Sequence, residues 1–176
     1  NTEVIDQFGV QQAAVFNQDV SEIDHRLLKN ASLTYMEMFG KGLSGWMTVG
    51  YAERAPSTTE QYAFYIFNAY DGFDYVGYND VKNEKAVQAD LGFEFTHKRV
   101  NIRATGFYYH MFDYILGAID SSLDAMTIGA NGVKVSENIH SAYMTGGNLE
   151  MSYSPLKILT LSNRSSFTYG NTVEGD

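Results

Sequence analysis

The feature that most constrains this chain is a period of two. In KAVQADLGFEF, Val87, Ala89, Leu91, Phe93 and Phe95 alternate with Gln88, Asp90, Gly92 and Glu94, so an extended backbone places the first set on one face and the second on the other. One face is greasy and the other wet. RVNIRATGFYY repeats the pattern with Val100, Ile102 and Ala104 against Asn101, Arg103 and Thr105, until Phe107 and Tyr109 blur it with aromatics suited to a membrane interface. NLEMSYSP sets Leu149, Met151 and Tyr153 against Asn148, Glu150 and Ser152, and LTLSNRSSFTY sets Leu159, Leu161, Phe167 and Tyr169 against Thr160, Ser162, Arg164 and Thr168. ASLTYMEMF and GWMTVGY are less regular and predict strands near Leu28 to Phe39 and Leu43 to Glu53.

These segments predict an all-β fold, an antiparallel up-and-down meander of about six strands, each about ten residues long, as in membrane-spanning strands. The connections add a second regularity. GKGLS at Gly40 to Ser44, THK at Thr96 to Lys98 and SPLK at Ser154 to Lys157 are tight hairpin turns. Those between them are long, from Arg54 to Glu84 and from Gly117 to Ile139. Structureless loops of that length do not suit a compact soluble domain, whereas short turns on one side and long loops on the other are what an outer-membrane barrel has. The expected organisation is an outer loop at 1–27, a hairpin at 28–53, a long outer loop at 54–84, a hairpin at 85–116, an outer loop at 117–139 and a hairpin at 140–173.

No apolar run approaches the roughly 18 residues of a membrane helix, which leaves a β-barrel as the way to span. With 13 Tyr, 11 Phe, 16 Gly, two Pro and no Cys, the composition suits strands without disulfides or thiolate metal sites. A formal charge of −9 opposes binding to a phosphate backbone, so nucleic acid is not an expected partner.

Beyond GWMTVGY the chain meets Glu53 and Arg54, then Pro56. A proline cannot donate to a ladder, so the strand is expected to stop there, with Glu53 and Arg54 as a pair at the rim. That pair reads either as solvated charge without a ligand role or as part of an outer binding surface. The loop that follows carries Tyr62, Phe64, Tyr65, Phe67, Tyr70, Phe73, Tyr75 and Tyr78. Such rings offer large contact area at low entropic cost and suit ligand capture; alternatively they pack on one another or sit at lipid headgroup level. The candidate ligand-binding residues are Arg54, Glu60, Tyr62, Tyr65, Tyr70 and Tyr75.

The order of these elements resembles the barrel of TonB-dependent outer-membrane receptors. Arg54, Pro56, Glu60 and Tyr62 match an arginine-x-proline element followed by a glutamate and an aromatic. Gly77, Asn79, Asp80, Val81, Lys82 and Glu84 match the element that opens the next strand, with Tyr78 as an insertion and Asn83 where proline is usual. NIHSAYMTGGNLEMSYSPLKILTLSNRSSFTYGN is similar to the family's glycine-rich strand, proline turn and return strand. The likeness covers nearly the whole chain from Leu28. It implies a segment of a larger transmembrane barrel of about 22 strands in the cell outer membrane, contacting lipid and lipopolysaccharide. It also implies a small nutrient ligand such as an iron chelate, cobalamin, a glycan or copper, and an inner-membrane energy-coupling protein reached through a plug domain. Because the chain begins at Asn1 without a signal segment, it is expected to be a piece of a longer protein, with the plug domain absent.

Other clusters carry less. His110 and Met111, with Asp113 nearby and Met36, Met38, His140 and Met144 elsewhere, suggest a soft-metal site such as copper, but adjacent strand residues point apart and cannot share an ion. DGFDYVGYND lacks the oxygen spacing of a calcium loop. Serine, histidine and aspartate occur without a nucleophile elbow. Asn30 and Asn163 begin glycosylation-like triplets inside predicted strands. No catalytic residue, metal or cofactor is expected. Rival readings are a soluble β-sheet adhesin or carbohydrate-binding module, which would bury two sheets against each other, and an outer-membrane enzyme on a smaller barrel.

Overall fold

The computed structural model describes residues 25–173, so most of the opening segment expected as an outer loop lies outside the described residues. Six long strands follow one another as neighbours in chain order: β1 (Asn30–Gly40), β2 (Leu43–Arg54), β5 (Glu84–His97), β6 (Val100–Ile119), β7 (Val133–Leu156) and β8 (Leu159–Val173). Between β2 and β5 the chain forms one short helix, α1 (Thr58–Tyr62), and two short strands, β3 (Ile66–Asn68) and β4 (Phe73–Val76). The described residues divide into a wall unit, spanning Lys29–Glu53, Lys85–Phe112 and 141–173, and a loop unit, spanning 25–28, Arg54–Glu84 and Asp113–His140.

In the wall unit, register decides which residues share a face, because directly opposed residues point the same way. Leu91 pairs with Gly106, Phe93 with Ala104 and Phe95 with Ile102; Asp90 pairs with Phe107 and Glu94 with Arg103. The apolar face is the exposed one, with Leu91 50% and Phe93 47% accessible. On the opposite face, Gly92 is buried beneath the Trp46 ring, and the Arg103 guanidinium lies 4.8 Å over the centre of that ring. A soluble sheet does the reverse and hides its apolar side. All eight strands among the described residues belong to one sheet, so no second sheet covers Leu33, Met47, Val49, Val87, Leu149 or Met151, all exposed.

The two aromatics that blur the alternation have a definite place. Phe107 and Tyr109 lie on the polar face, opposite Asp90 and Gln88, with their rings stacked 5.2 Å apart. A Cβ at Gly146 of β7 would sit 2.7 Å from the Phe107 ring, so the missing side chain is what makes room for it. Tyr108, on the apolar face, instead joins a row with Tyr143 and Tyr169, at ring separations of 6.4 and 6.1 Å. The first tight turn uses positive φ at Gly40, Lys41 and Gly42; Gly42 accepts from the Thr96 N–H at 2.8 Å, and a side chain there would collide with the Thr96 backbone.

The loop unit has its own small core, made of aliphatic rather than aromatic side chains: Val76 and Val133 are fully buried and Ala63, Val81 and Ile115 nearly so. Burying a valine contributes roughly 1.5 kcal/mol or more. β3 and β4 form a hairpin, and β4 runs parallel to the start of β7, with Asp74 opposite Val133 and Val76 opposite Val135.

The chain has no cysteine, so single cysteines carrying spin labels can be introduced cleanly into this segment of the full-length protein. Labels at Leu91, Phe93 and Ile102 are expected to relax with membrane-dissolved oxygen, and labels at Asp90 and Thr105 with an aqueous reagent. The opposite pattern would mean that the facing is wrong by one residue.

Candidate functional site

Local sequence explains how the loop unit begins. Ser57 caps α1: its hydroxyl accepts from the Glu60 N–H at 3.2 Å, while the Glu60 carboxylate accepts from the Ser57 N–H at 2.6 Å, a reciprocal capping box. Pro56 is buried just before it. Arg54 reaches both flanking glutamates: Nη1 and Nη2 donate to the two oxygens of Glu60 at 2.8 and 3.0 Å, and Nε donates to Glu84 at 2.6 Å. The other oxygen of Glu84 accepts from the Ile115 N–H at 2.8 Å. Thus the arginine, the glutamate and the strand-opening glutamate of the sequence pattern converge in one network. Burial raises the Glu60 pKa, but hydrogen bonds from Arg54 and Ser57 outweigh it and hold the carboxyl below its ordinary value. Gly77 packs against the end of α1, where a Cβ would come within 2.6 Å of the Gln61 and Tyr62 backbone, and its N–H donates to the Ala63 carbonyl at 2.8 Å.

β6 leaves its ladder with β5 after Phe112, and Asp113 takes a positive φ of 52°. Beyond it, side chains replace ladder bonds: Glu84 takes the Ile115 N–H, and Asn138 donates to the Asp113 carbonyl at 2.6 Å while accepting from the Lys82 N–H at 2.6 Å. A second anchor is Asp74, which is 0% exposed. Its Oδ2 accepts from the Met126 and Thr127 N–H groups, both at 2.8 Å, and so fixes the segment after β6; its Oδ1 has no hydrogen-bond partner. Burial opposes ionisation of Asp74, and the Thr127 and Met126 donors outweigh that and lower its pKa. Nothing in the residue pattern marks this aspartate out from its acidic neighbours.

A third group closes the β3–β4 hairpin onto β7. Asp71 takes Lys134 Nζ at 2.7 Å and the Tyr75 hydroxyl at 2.8 Å, while Lys134 lies 4.5 Å over the Phe73 ring. The Lys134 and Tyr75 hydrogen bonds hold the Asp71 carboxyl below its ordinary range.

The predicted ligand residues therefore fall in different settings. Arg54 and Glu60 are engaged with each other. Tyr65, at φ 50°, stacks edge-on with Phe64 at 5.0 Å. Tyr62 is partly exposed, and Tyr70 is fully exposed at the hairpin tip. Tyr75 and Glu60 line an open cleft of about 510 Å³ within the loop unit. Its apolar wall comes from Ile66, Phe67, Ile115 and Leu116, and its polar wall includes Ser57, Thr59, Asn68 and Ser136. Ile115, Leu116 and Ser136 come from β6 and β7 and are not among the expected ligand residues. His110 and Met111 diverge as expected of neighbours: His110 opposes Val87 on the apolar face, and Met111 opposes Ala86 on the other.

A single sheet whose exposed face is greasy, with short turns joining its long strands, is the architecture of a membrane barrel wall. The sequence profile of the TonB dependent receptor-like β-barrel matches residues 3–176, and the chain belongs to that family. No match is found among curated proteins. Among solved structures, the chain is similar to the siderophore receptor PirA from Pseudomonas aeruginosa, with TM-score 0.64, 18% identity, and coverage of 81% of this chain and 28% of that one. It is similar to the copper transporter OprC, with TM-score 0.63, 19% identity, and coverage of 80% and 20%. It is also similar to a variant of the ferric enterobactin receptor PfeA from Pseudomonas aeruginosa in complex with enterobactin, with TM-score 0.62, 18% identity, and coverage of 79% and 22%. The chain thus spans between a fifth and somewhat over a quarter of the length of these proteins.

Three outcomes test the site's construction. Replacing Arg54 with Gln leaves Glu84, whose side chain is only 11% exposed, without its ion pair. Because Arg54 itself is 47% exposed and screened, the expected cost is roughly 1–2 kcal/mol, between the exposed and buried extremes. It should be read as earlier proteolysis within 54–84, and Arg54→Gln combined with Glu84→Gln should recover part of it. For pH, Glu60, Asp71 and Asp74 all have lowered pKa values in the folded state. Their contribution is complete above the unfolded carboxylate values and is lost as pH falls through the folded ones. The loop unit should therefore loosen below about pH 4. Asp74→Ala should release the Met126 and Thr127 amides to hydrogen exchange at neutral pH, by about 1–3 kcal/mol of lost protection.

Proposed function

We propose that this chain supplies part of the barrel wall and part of the outer ligand-binding surface of a TonB-dependent receptor that imports a scarce nutrient across the outer membrane. The observation that carries the reading is the inversion of the wall, whose exposed face is apolar. Its dimensions support lipid contact. Tyr143 and Tyr153 lie on the same face ten residues apart, which corresponds to about 33 Å of strand and, at a tilt of about 40°, to about 25 Å along the membrane normal. That is the height of the apolar band of outer-membrane barrels, and the Tyr108, Tyr143 and Tyr169 row fits the aromatic girdle at one edge of it. Lipid and lipopolysaccharide are accordingly the partners of this face.

The loop unit supports the second half of the reading. Its cleft combines aromatic and aliphatic walls with a few polar groups, the usual make-up of a small-molecule site, and its backbone is fixed from three directions by Arg54, Asp74 and Asp71. We assign ligand contact to Tyr75 and Glu60 at the cleft, with Tyr62, Tyr65 and Tyr70 on the adjoining loop surface and Arg54 holding Glu60 in place. Energy for import would come from an inner-membrane coupling protein acting through a plug domain, and the chain itself carries no catalytic step.

In the intact receptor, Phe67→Ala at the cleft and Tyr70→Ala at the tip are expected to weaken nutrient binding by about 2 kcal/mol each, as truncation of aromatic anchors commonly does. Heat-modifiable gel mobility should remain that of a folded barrel. Unchanged affinity in both variants would remove the loop unit from the binding surface.

A further inference from the structure

The chain's charge is not spread evenly. Among the described residues, the wall unit contains 5 Asp and Glu against 8 Lys and Arg. The described residues of the loop unit carry 9 acidic residues against Arg26, Arg54, Lys82 and Lys134. Among the described residues, the excess of negative charge therefore belongs to the loop unit.

The cleft repeats this locally. The only ionisable carboxylate or base among its lining residues is Glu60; the other polar groups, Ser57, Thr59, Asn68 and Ser136, are neutral, as is the Tyr75 phenol. The cations in contact with these residues are already spent. Arg54 is held by both oxygens of Glu60 and by Glu84, and Lys134 by Asp71, with its ammonium over the Phe73 and Tyr75 rings. An anionic ligand could gain a cation here only by breaking one of these pairs, which would expose a carboxylate to it. A neutral or cationic ligand breaks none, and its approach is favoured by the surrounding field, since surface potentials of one sign raise the encounter rate of the opposite sign.

We infer that the loop unit selects for an uncharged or cationic nutrient complex, with an apolar flank against Phe67 and Tyr75 and hydrogen-bonding groups toward Asn68 and Ser136, and selects against polyanionic chelates. This rests on the receptor reading above and narrows it to a charge class.

The test is equilibrium binding to the full-length receptor in detergent, at low and moderate salt. The probes are a neutral ferric trihydroxamate, cobalamin, aqueous cupric ion, and a ferric tris-catecholate carrying three negative charges. At low salt, at least one neutral or cationic probe should bind about tenfold or more tighter than the tris-catecholate, and the gap should narrow as salt screens the repulsion. Thr59→Lys and Ala69→Lys, both at exposed lining positions, should improve tris-catecholate affinity several-fold relative to the neutral probes. Preferred binding of the tris-catecholate by the unaltered receptor would overturn the inference and leave the receptor reading standing. Binding of none of the four by a correctly folded barrel would overturn the receptor reading, and the inference with it.

Discussion

The loop unit depends on one guanidinium. Arg54 ends β2 at the point where Pro56 removes a ladder donor, and its three donor nitrogens are divided between Glu60, which also caps α1, and Glu84, which also holds the Ile115 N–H of β6. Remove the arginine and two carboxylates face each other in partly buried surroundings, each still tied to a backbone amide that cannot follow it. Such a pair contributes modestly to net stability, because desolvation offsets attraction. Its value lies in fixing where three segments of chain, distant in sequence, must meet.

The wall is held by a different balance. Its apolar face is left uncovered by protein, so burial within the chain contributes little there, and ladder hydrogen bonds carry the order of the sheet. In hydrocarbon those bonds have no competition from water, which is why only closed sheets and helices cross a bilayer. The polar face adds shape: Trp46 lies over Gly92 and Phe107 over Gly146, each ring occupying space that a glycine on the next strand leaves free.

The long strands were legible because alternation over ten or more residues leaves little else to form, as in β5, where Val87 to Phe95 reads the same in sequence and in accessibility. β3 and β4 were not, since three or four residues carry no usable period. Phe107 and Tyr109 could not be placed from their own strand, because the residue that admits them is Gly146 of β7. At the site, Arg54, Glu60 and Glu84 were readable as parts of a pattern, though not as mutual partners. The cleft's other wall, from Ile115 to Ser136, follows from how β6 and β7 continue past Asp113, a tertiary event without a local signal. Asp74 is one acid among several in DGFDYVGYND, and only burial distinguishes it.

The parallel pairing of β4 with β7 has a consequence for how such a loop can change over time. Asp74 and Val133 are neighbours in space but 59 positions apart in sequence, and the same aspartate fixes residues 126 and 127. A mutation that reshapes the β3–β4 hairpin therefore also alters the seat of the 120–132 segment, and substitutions tolerated in one are conditional on the other. The two loops are thus inherited as a linked pair, so a recombination breakpoint between them would separate residues that pack only together, whereas one placed in the tight turn at Gly40 to Gly42 would leave the pair intact.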